Sequence, residues 1–295
     1  MDIRRKVRLD AFTTIGIGGI AEYFAVPRDQ EELADLIKLA QDKGKPIHIL
    51  GRGANTIFGD FEGFVVYTKN FSNMSVEDEG NKGLRVKVAA GVDLHKLVKL
   101  AVDENLEGVY RLVGLPATVG GAVSMNAGAF GYEISEHLLS VKFLGWDGNV
   151  YTAMKQDLNF SYRNSPFPSL GVVLECEFLF QRTNRPIFEE FQSIKRLRKE
   201  KQPINMPTSG STFKNPQGHA AGKLLEEVGM KGFRIGGVAF SEVHANFLIN
   251  VDRGTFQDVL KIIQVAKRRV LETFGIELEE EVVLVGKRDA FARLD

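Results

Sequence analysis

The stretch Gly114-Leu115-Pro116-Ala117-Thr118-Val119-Gly120-Gly121-Ala122-Val123-Ser124-Met125-Asn126-Ala127-Gly128-Ala129-Phe130-Gly131 decides the fold of this 295-residue chain. It is rich in glycine and alanine and poor in charge, so its backbone can lie close beside a flat or extended ligand with no Cβ in the way. A tightly packed strand corner is the plainer reading of the same residues. Upstream, Gly51-Arg52-Gly53-Ala54-Asn55-Thr56 follows the apolar run Pro46-Ile47-His48-Ile49-Leu50, which reads as a buried strand. This loop lacks the third glycine of a Rossmann fingerprint, and no Gly-Lys-Ser/Thr follows to make it a P-loop. Alone it is an ordinary tight turn. Two glycine loops in one domain fit a large ligand that carries its own diphosphate.

Outward from these loops the chain alternates helical and strand-like patterns. Leu33, Leu36, Ile37 and Ala40 mark a helix ending near Gly44, and Leu94, Leu97, Val98 and Ala101 mark another. Strand-like runs lie at 64–68, 85–90, 140–144 and 172–180, with Trp146-Asp147-Gly148-Asn149 as a turn signal. A charged helical segment, 189–201, is closed by Pro203 and Pro207. Near the C-terminus Phe256, Val259, Leu260, Ile263, Val270, Leu271 and Phe274 share one helix face, opposite Lys261, Lys267, Arg268 and Arg269. That basic stripe reads as a solvated face. The expected architecture is α+β: residues 1–185 in two lobes (about 1–70 and 71–185), then a smaller α/β domain over 186–295.

Composition excludes several function classes. Lys plus Arg and Asp plus Glu both total 38, and a phosphate-tracking nucleic-acid binder normally shows a large basic excess. Cys176 is the only cysteine, so no internal disulfide and no all-thiolate metal site can form. His48, His95, His137, His219 and His244 are scattered without ligand-like spacing, so no metal is expected, and His244 reads as a structural, hydrogen-bonded histidine. No run approaches the roughly 20 apolar residues that span a bilayer, and the basic start Met1 to Lys6 precedes no signal-length apolar run. The expectation is a cytoplasmic protein with no membrane or nucleic-acid partner; the oligomeric state is not legible.

The two loops in this order, with the entry segment Thr13-Thr14-Ile15-Gly16-Ile17-Gly18-Gly19, resemble the UDP-N-acetylenolpyruvoylglucosamine reductases. That family has the vanillyl-alcohol-oxidase-type (PCMH-type) FAD-binding fold, with a separate substrate-binding domain. The resemblance implies noncovalent FAD, with Gly51, Arg52, Gly53, Ala54, Asn55 and Thr56 cradling the diphosphate. It places Gly114, Pro116, Ala117, Thr118, Gly120, Gly121, Asn126, Ala127 and Gly128 along the ribityl and isoalloxazine portion. Ala54 stands where the family usually has Ser, and Ala117 where it usually has Gly. One change loses a possible hydroxyl contact and the other adds a methyl; neither removes backbone donors.

Three further segments extend the match: Phe160-Ser161-Tyr162-Arg163-Asn164-Ser165, Ser209-Gly210-Ser211-Thr212-Phe213-Lys214-Asn215-Pro216, and Leu278-Glu279-Glu280-Glu281-Val282. Singly these are a surface arginine, a turn serine and a solvated glutamate run. Together they follow the family's three catalytic stretches in order. His244-Ala245-Asn246-Phe247 also matches, and the resemblance runs from about Thr13 to Gly286. It implies NADPH-dependent reduction of an enolpyruvyl UDP-sugar in peptidoglycan precursor synthesis. Arg163 then stabilises charge developing on the substrate carboxylate through its planar fork. Ser211 protonates the α-carbon, and Glu281 is protonated or orients a donor. Lys201, Lys214 and Asn215 are expected contacts of the diphosphate and sugar, with Tyr162 lining the pocket. Tyr162 is the last of the six tyrosines, which implies the shorter form, without a tyrosine lid from the later domain. Two other readings are an oxidase of the same fold and a nonenzymatic nucleotide-sugar sensor. The oxidases often tether FAD through His or Cys, which neither loop contains; the sensor should have lost Arg163, Ser211 or Glu281.

Overall fold

A computed structural model describes residues 1–286 and divides the chain into two compact units. The first contains Met1–Ile3, Ala25–Arg52 and Val65–Arg198; the second contains Arg4–Phe24, Gly53–Phe64 and the chain from Lys199 onward.

The first unit is organised by a five-stranded antiparallel sheet. Its order is Val150–Met154, Leu138–Gly145, Gly171–Phe180, Leu84–Ala89 and Met74–Asp78. In Gly171–Phe180 the end of the strand alternates, with Cys176, Phe178 and Phe180 buried between partly exposed Glu175, Glu177 and Leu179. The helix Leu94–Asp103 presents Leu94, Leu97, Val98 and Ala101 to the core, as its spacing dictates. The helix Gln30–Asp42 starts at Asp29, whose side chain accepts from the Glu32 N–H. It is followed by Gly44 at φ +60°, a left-handed position that suits glycine. The strand Ile47–Leu50 then delivers the chain to the first glycine loop.

The second unit has a four-stranded antiparallel sheet in the order Thr208–Ser211, Phe247–Asn250, Val238–Phe240 and Arg234–Ile235. The helix Phe256–Phe274 opens with a capping box between Thr255 and Asp258 and ends at Gly275, φ +68°. Its buried face is Phe256, Val259, Leu260, Ile262, Ile263, Ala266 and Val270. The sequence placed Leu271 and Phe274 on that face, but they are 45% and 36% exposed. The packed stripe ends at Val270, and the final turn carries its apolar groups outward. Part of the basic stripe is also engaged. Lys267 pairs with Glu280 at 3.2 Å, and the Arg269 guanidinium lies 4.5 Å from the Phe233 ring centre. A short parallel pair, Thr56–Phe58 with Val283–Val285, completes the framework around the first loop.

Candidate active site

The first loop can present backbone donors. Gly53 sits at φ +64°, and a Cβ there would lie 2.1 Å from the Phe12 carbonyl oxygen, so only glycine fits. Its carbonyl accepts from the Thr14 N–H at 3.1 Å. Among the described residues, the N–H groups of Gly53, Ala54 and Asn55 donate to no protein acceptor. A missing hydroxyl at Ala54 leaves those donors intact. Thr56 is buried at the start of its strand. Gly51 and Arg52 belong to the first unit. A Cβ on Gly51 would lie 2.5 Å from Thr118 Oγ1, and Arg52 Nη1 is 3.1 Å from Asp93 Oδ1.

The second loop folds against the sheet of the first unit. Thr118 caps the short helix Val119–Ser124, its hydroxyl accepting from the Gly121 N–H at 3.3 Å. Gly120 donates to the Ala90 carbonyl at 2.8 Å, where an added Cβ would meet the Ala90 Cβ at 2.5 Å. Ala117 accepts from the Leu94 N–H at 2.9 Å, and Ala127 donates to Ala122 at 2.8 Å. Pro116, Gly114 and Gly121 remain on the exposed side. Arg198, absent from the sequence-based set, is 7% exposed. Its guanidinium lies 5.2 Å from the Phe130 ring centre, and burial lowers its pKa to about 10. It lies in a charged helical run that looks solvated throughout, so only packing distinguishes it.

This loop meets the first candidate segment, around Arg163. Ser161 and Asn164 exchange backbone hydrogen bonds at 3.1 and 3.0 Å, with Tyr162 and Arg163 at the turn. Arg163 has φ +53°, uncommon for a side chain of its size. Its Nη2 donates to the Gly128 carbonyl at 2.8 Å, and its guanidinium lies 5.0 Å from the centre of the exposed Tyr162 ring. One edge of the fork is thereby fixed in orientation by the second loop. The fully buried Asn126, φ +45°, donates from Nδ2 to the Ser161 carbonyl at 2.9 Å and to Glu133 Oε2 at 2.8 Å.

The second unit gathers the other two candidate segments, around Ser211 and Glu281. Ser211 is half-buried and pairs with Phe247 across an irregularity in the strand register, where Gly210 adopts φ +78°. Asn246 holds the following residues. Its Oδ1 accepts from the Phe213 N–H at 3.0 Å, its Nδ2 donates to the Phe213 carbonyl at 2.8 Å, and its carbonyl accepts from Thr212 at 2.7 Å. The half-buried Glu281 donates its backbone N–H to the Thr212 carbonyl at 2.8 Å. Its own carbonyl accepts from Asn55 Nδ2 at 2.9 Å. Glu279 and Glu280 are balanced by Lys214 at 2.6 Å and Lys267 at 3.2 Å. Asn215 Oδ1 accepts from the Ala221 N–H at 3.0 Å, at the start of the helix Ala221–Glu227. Lys201 stands exposed at the end of the helix Phe188–Lys201.

Ser211, Glu281, Asn55 and Lys214 thus come together in one unit, while Arg163, Tyr162, Asn126 and Gly128 come together in the other. Asn246 was legible only as part of a matching pattern. The backbone it clamps cannot be read from spacing. His244 accepts from the Asn246 N–H at 3.2 Å and packs 4.8 Å from the Phe247 ring, the structural role expected of it.

Glycines that bring backbone donors to the mouth of a packed loop fit a flavin dinucleotide, and residues 21–153 match the family model for an FAD binding domain. Residues 202–285 match the C-terminal domain of UDP-N-acetylenolpyruvoylglucosamine reductase. The order of these domains bears out the α+β, FAD-binding fold class. The chain is 50% identical over 281 residues to the UDP-N-acetylenolpyruvoylglucosamine reductase of Aquifex aeolicus (strain VF5), covering 95% of this chain and 94% of that one. It is 41% identical over 291 residues to the enzyme of the same name from Streptococcus pneumoniae (strain JJA), covering 97% and 95%. The crystal structure of UDP-N-acetylenolpyruvylglucosamine reductase from Thermus caldophilus superposes with a TM-score of 0.78 at 33% identity, over 97% of this chain and 99% of that one. The chain belongs to the UDP-N-acetylenolpyruvoylglucosamine reductase family.

Proposed function

We propose that this protein binds FAD noncovalently and uses NADPH to reduce the enolpyruvyl ether of a UDP-sugar, yielding UDP-N-acetylmuramate for peptidoglycan synthesis in the cytoplasm. The observation that carries the chemistry is the bond from the Glu281 N–H to the carbonyl of Thr212, the residue after Ser211. It sets a carboxyl and a hydroxyl on adjacent backbones. FAD, when bound, supplies the hydride that it receives from the nicotinamide. The chain's own residues must then handle charge and a proton. Hydride addition to the vinyl carbon leaves negative charge beside the substrate carboxylate. Arg163 binds those oxygens, its guanidinium oriented by the Gly128 carbonyl and by Tyr162. Ser211 delivers the proton to the α-carbon, and Glu281 holds a proton or orients the donor beside it.

In this reading residues 1–185 form the FAD-binding region and residues 186–295 the substrate domain. The diphosphate lies along the loop 51–56, with the flavin along 114–128. Lys201, Lys214 and Asn215 hold the UDP-sugar, for which Lys214 exchanges Glu279 for a phosphate oxygen. With no tyrosine after Tyr162, no lid tyrosine comes from the substrate domain. The test is anaerobic mixing with NADPH, then with the enolpyruvyl UDP-sugar, while following flavin absorbance. The purified protein should be yellow, bleach with NADPH and recover its colour with substrate. Ser211→Ala should bleach at the normal rate but recover ~10²–10⁴-fold more slowly, the usual worth of a positioned acid. Equal slowing of both steps would move Ser211 from proton transfer to organising the flavin pocket.

A further inference from the structure

Each glycine loop contains an asparagine whose side-chain amide reaches the backbone of a catalytic segment. In the second unit Asn55 donates from Nδ2 to the Glu281 carbonyl at 2.9 Å, and its own carbonyl accepts from the Val283 N–H at 2.8 Å. This pair of contacts opens the parallel ladder of Thr56–Phe58 with Val283–Val285. Because the Glu281 N–H donates to Thr212, the main chain of Glu281 is held from both sides: by the loop and by the Ser211 segment. In the first unit Asn126 donates to the Ser161 carbonyl at 2.9 Å, at the base of the turn that carries Tyr162 and Arg163. Its second donor goes to Glu133 Oε2 at 2.8 Å, so both N–H groups of that amide are committed. Asn126 and Arg163 adopt φ +45° and +53°, a left-handed region that Asn tolerates readily but that a long side chain such as Arg keeps only where the surroundings enforce it. Hydrogen bonds from Asn126 to Ser161 and from Arg163 to Gly128 supply that enforcement.

We infer that Asn55 and Asn126 are positioning residues, which fix the main chain of Glu281 and of the Tyr162–Arg163 turn from within the cofactor loops. The inference rests on the reductase reading above. A carbonyl needs a donor opposite it, so an isosteric Asp at position 55 loses the contact while keeping the shape. An Asp at position 126 would also face Glu133, so Ala is the substitution there. Should Asn126→Ala not fold, Asn126→Ser, a shorter donor, takes its place.

The experiment uses the holoenzymes of Asn55→Asp and Asn126→Ala, with FAD affinity measured by fluorescence and the two half-reactions by stopped flow. Recovery of flavin colour with the enolpyruvyl UDP-sugar should slow at least ~10-fold at saturating substrate, with KM changed by less than ~3-fold. At saturating FAD, reduction by NADPH should slow by less than ~3-fold, so the loss falls on recovery even where these loop substitutions weaken FAD affinity. A fall in FAD affinity of more than ~10-fold, with normal recovery of the flavin that remains bound, would make these residues cofactor ligands and overturn the inference. So would variants indistinguishable from wild type in every step. A wild-type holoenzyme that bleaches with NADPH but ignores the enolpyruvyl UDP-sugar would refute the reductase reading, and this inference with it.

Discussion

Replacing Asn246 by Ala isolates what the clamp behind Ser211 is worth. Asn246 is 3% exposed and Phe213 is 1% exposed, so water cannot take over bonds that the side chain gives up. Two are lost together: the Phe213 N–H to Oδ1 at 3.0 Å and Nδ2 to the Phe213 carbonyl at 2.8 Å. Each orphaned backbone group costs about 1–3 kcal/mol, giving about 2–5 kcal/mol in all once partial relaxation is allowed. At roughly 2–4 °C per kcal/mol for a protein of this size class, the melting temperature should fall by at least ~4 °C. Thermal unfolding by circular dichroism, together with urea denaturation, reads that change.

Asn246→Asp sharpens the test. Its carboxylate can still accept from the Phe213 N–H but turns lone pairs toward the Phe213 carbonyl. Taking up a proton restores the missing donor, so folding favours the protonated acid and raises its pKa above the unfolded value. Below the unfolded pKa both states are protonated and the donor is present. As pH rises through that value and on to the raised folded pKa, the unfolded state ionises first and stability is lost. Relative to wild type, Asn246→Asp should therefore recover stability on acidification, whereas Asn246→Ala should not. Equal melting temperatures for Asn246→Ala and wild type would refute the ledger. Parallel pH dependence of the two variants would refute the geometry.

Gly53→Ala places a methyl against the Phe12 carbonyl and holds alanine at φ +64°, a penalty of about 1–2 kcal/mol before the clash is counted; the protein should fold but retain less FAD after desalting. Arg163→Lys keeps the charge and loses the fork, so turnover should fall at least ~10-fold while KM changes less, and near-normal turnover would remove Arg163 from charge stabilisation. His48 is lowered from 6.5 to about 4 by burial. Between those values the unfolded chain binds the extra proton, so His48 lowers stability as pH falls from about 6.5 to about 4, and His48→Gln should flatten that part of the stability–pH curve.

The fold was legible where burial on one face imposes a period. The helices Gln30–Asp42 and Leu94–Asp103 and the second half of the strand Gly171–Phe180 all carry that pattern plainly. It failed at the end of the helix Phe256–Phe274, where Leu271 and Phe274 keep the periodicity but are 45% and 36% exposed. Periodicity reports which residues share a face; it does not report where the neighbouring surface stops. Arg198 shows the converse. A charged residue in a charged run is read as solvated, yet here it covers Phe130 and lies beside Gly114, where an added Cβ would come 3.3 Å from its Cδ.

The site was legible as motifs, but motif spacing carries no information about which backbone atoms the side chains hold. Asn55 and Asn126 were read as cofactor residues because they lie in cofactor loops. Their amides reach the carbonyls of Glu281 and Ser161, which are 226 and 35 positions away in sequence. Such contacts have no local signature, because any buried carbonyl accepts an amide equally well. They tie down the main chain of Glu281 and of the Tyr162–Arg163 turn, and in an active site a misplacement of about 1 Å can cost on the order of 10²-fold in rate. Arg163, Ser211 and Glu281 were legible only together, as three stretches in the family's order; one by one each read as a surface or turn residue. The residues that hold them, Asn55, Asn126 and Asn246, follow only from knowing which carbonyl each one faces.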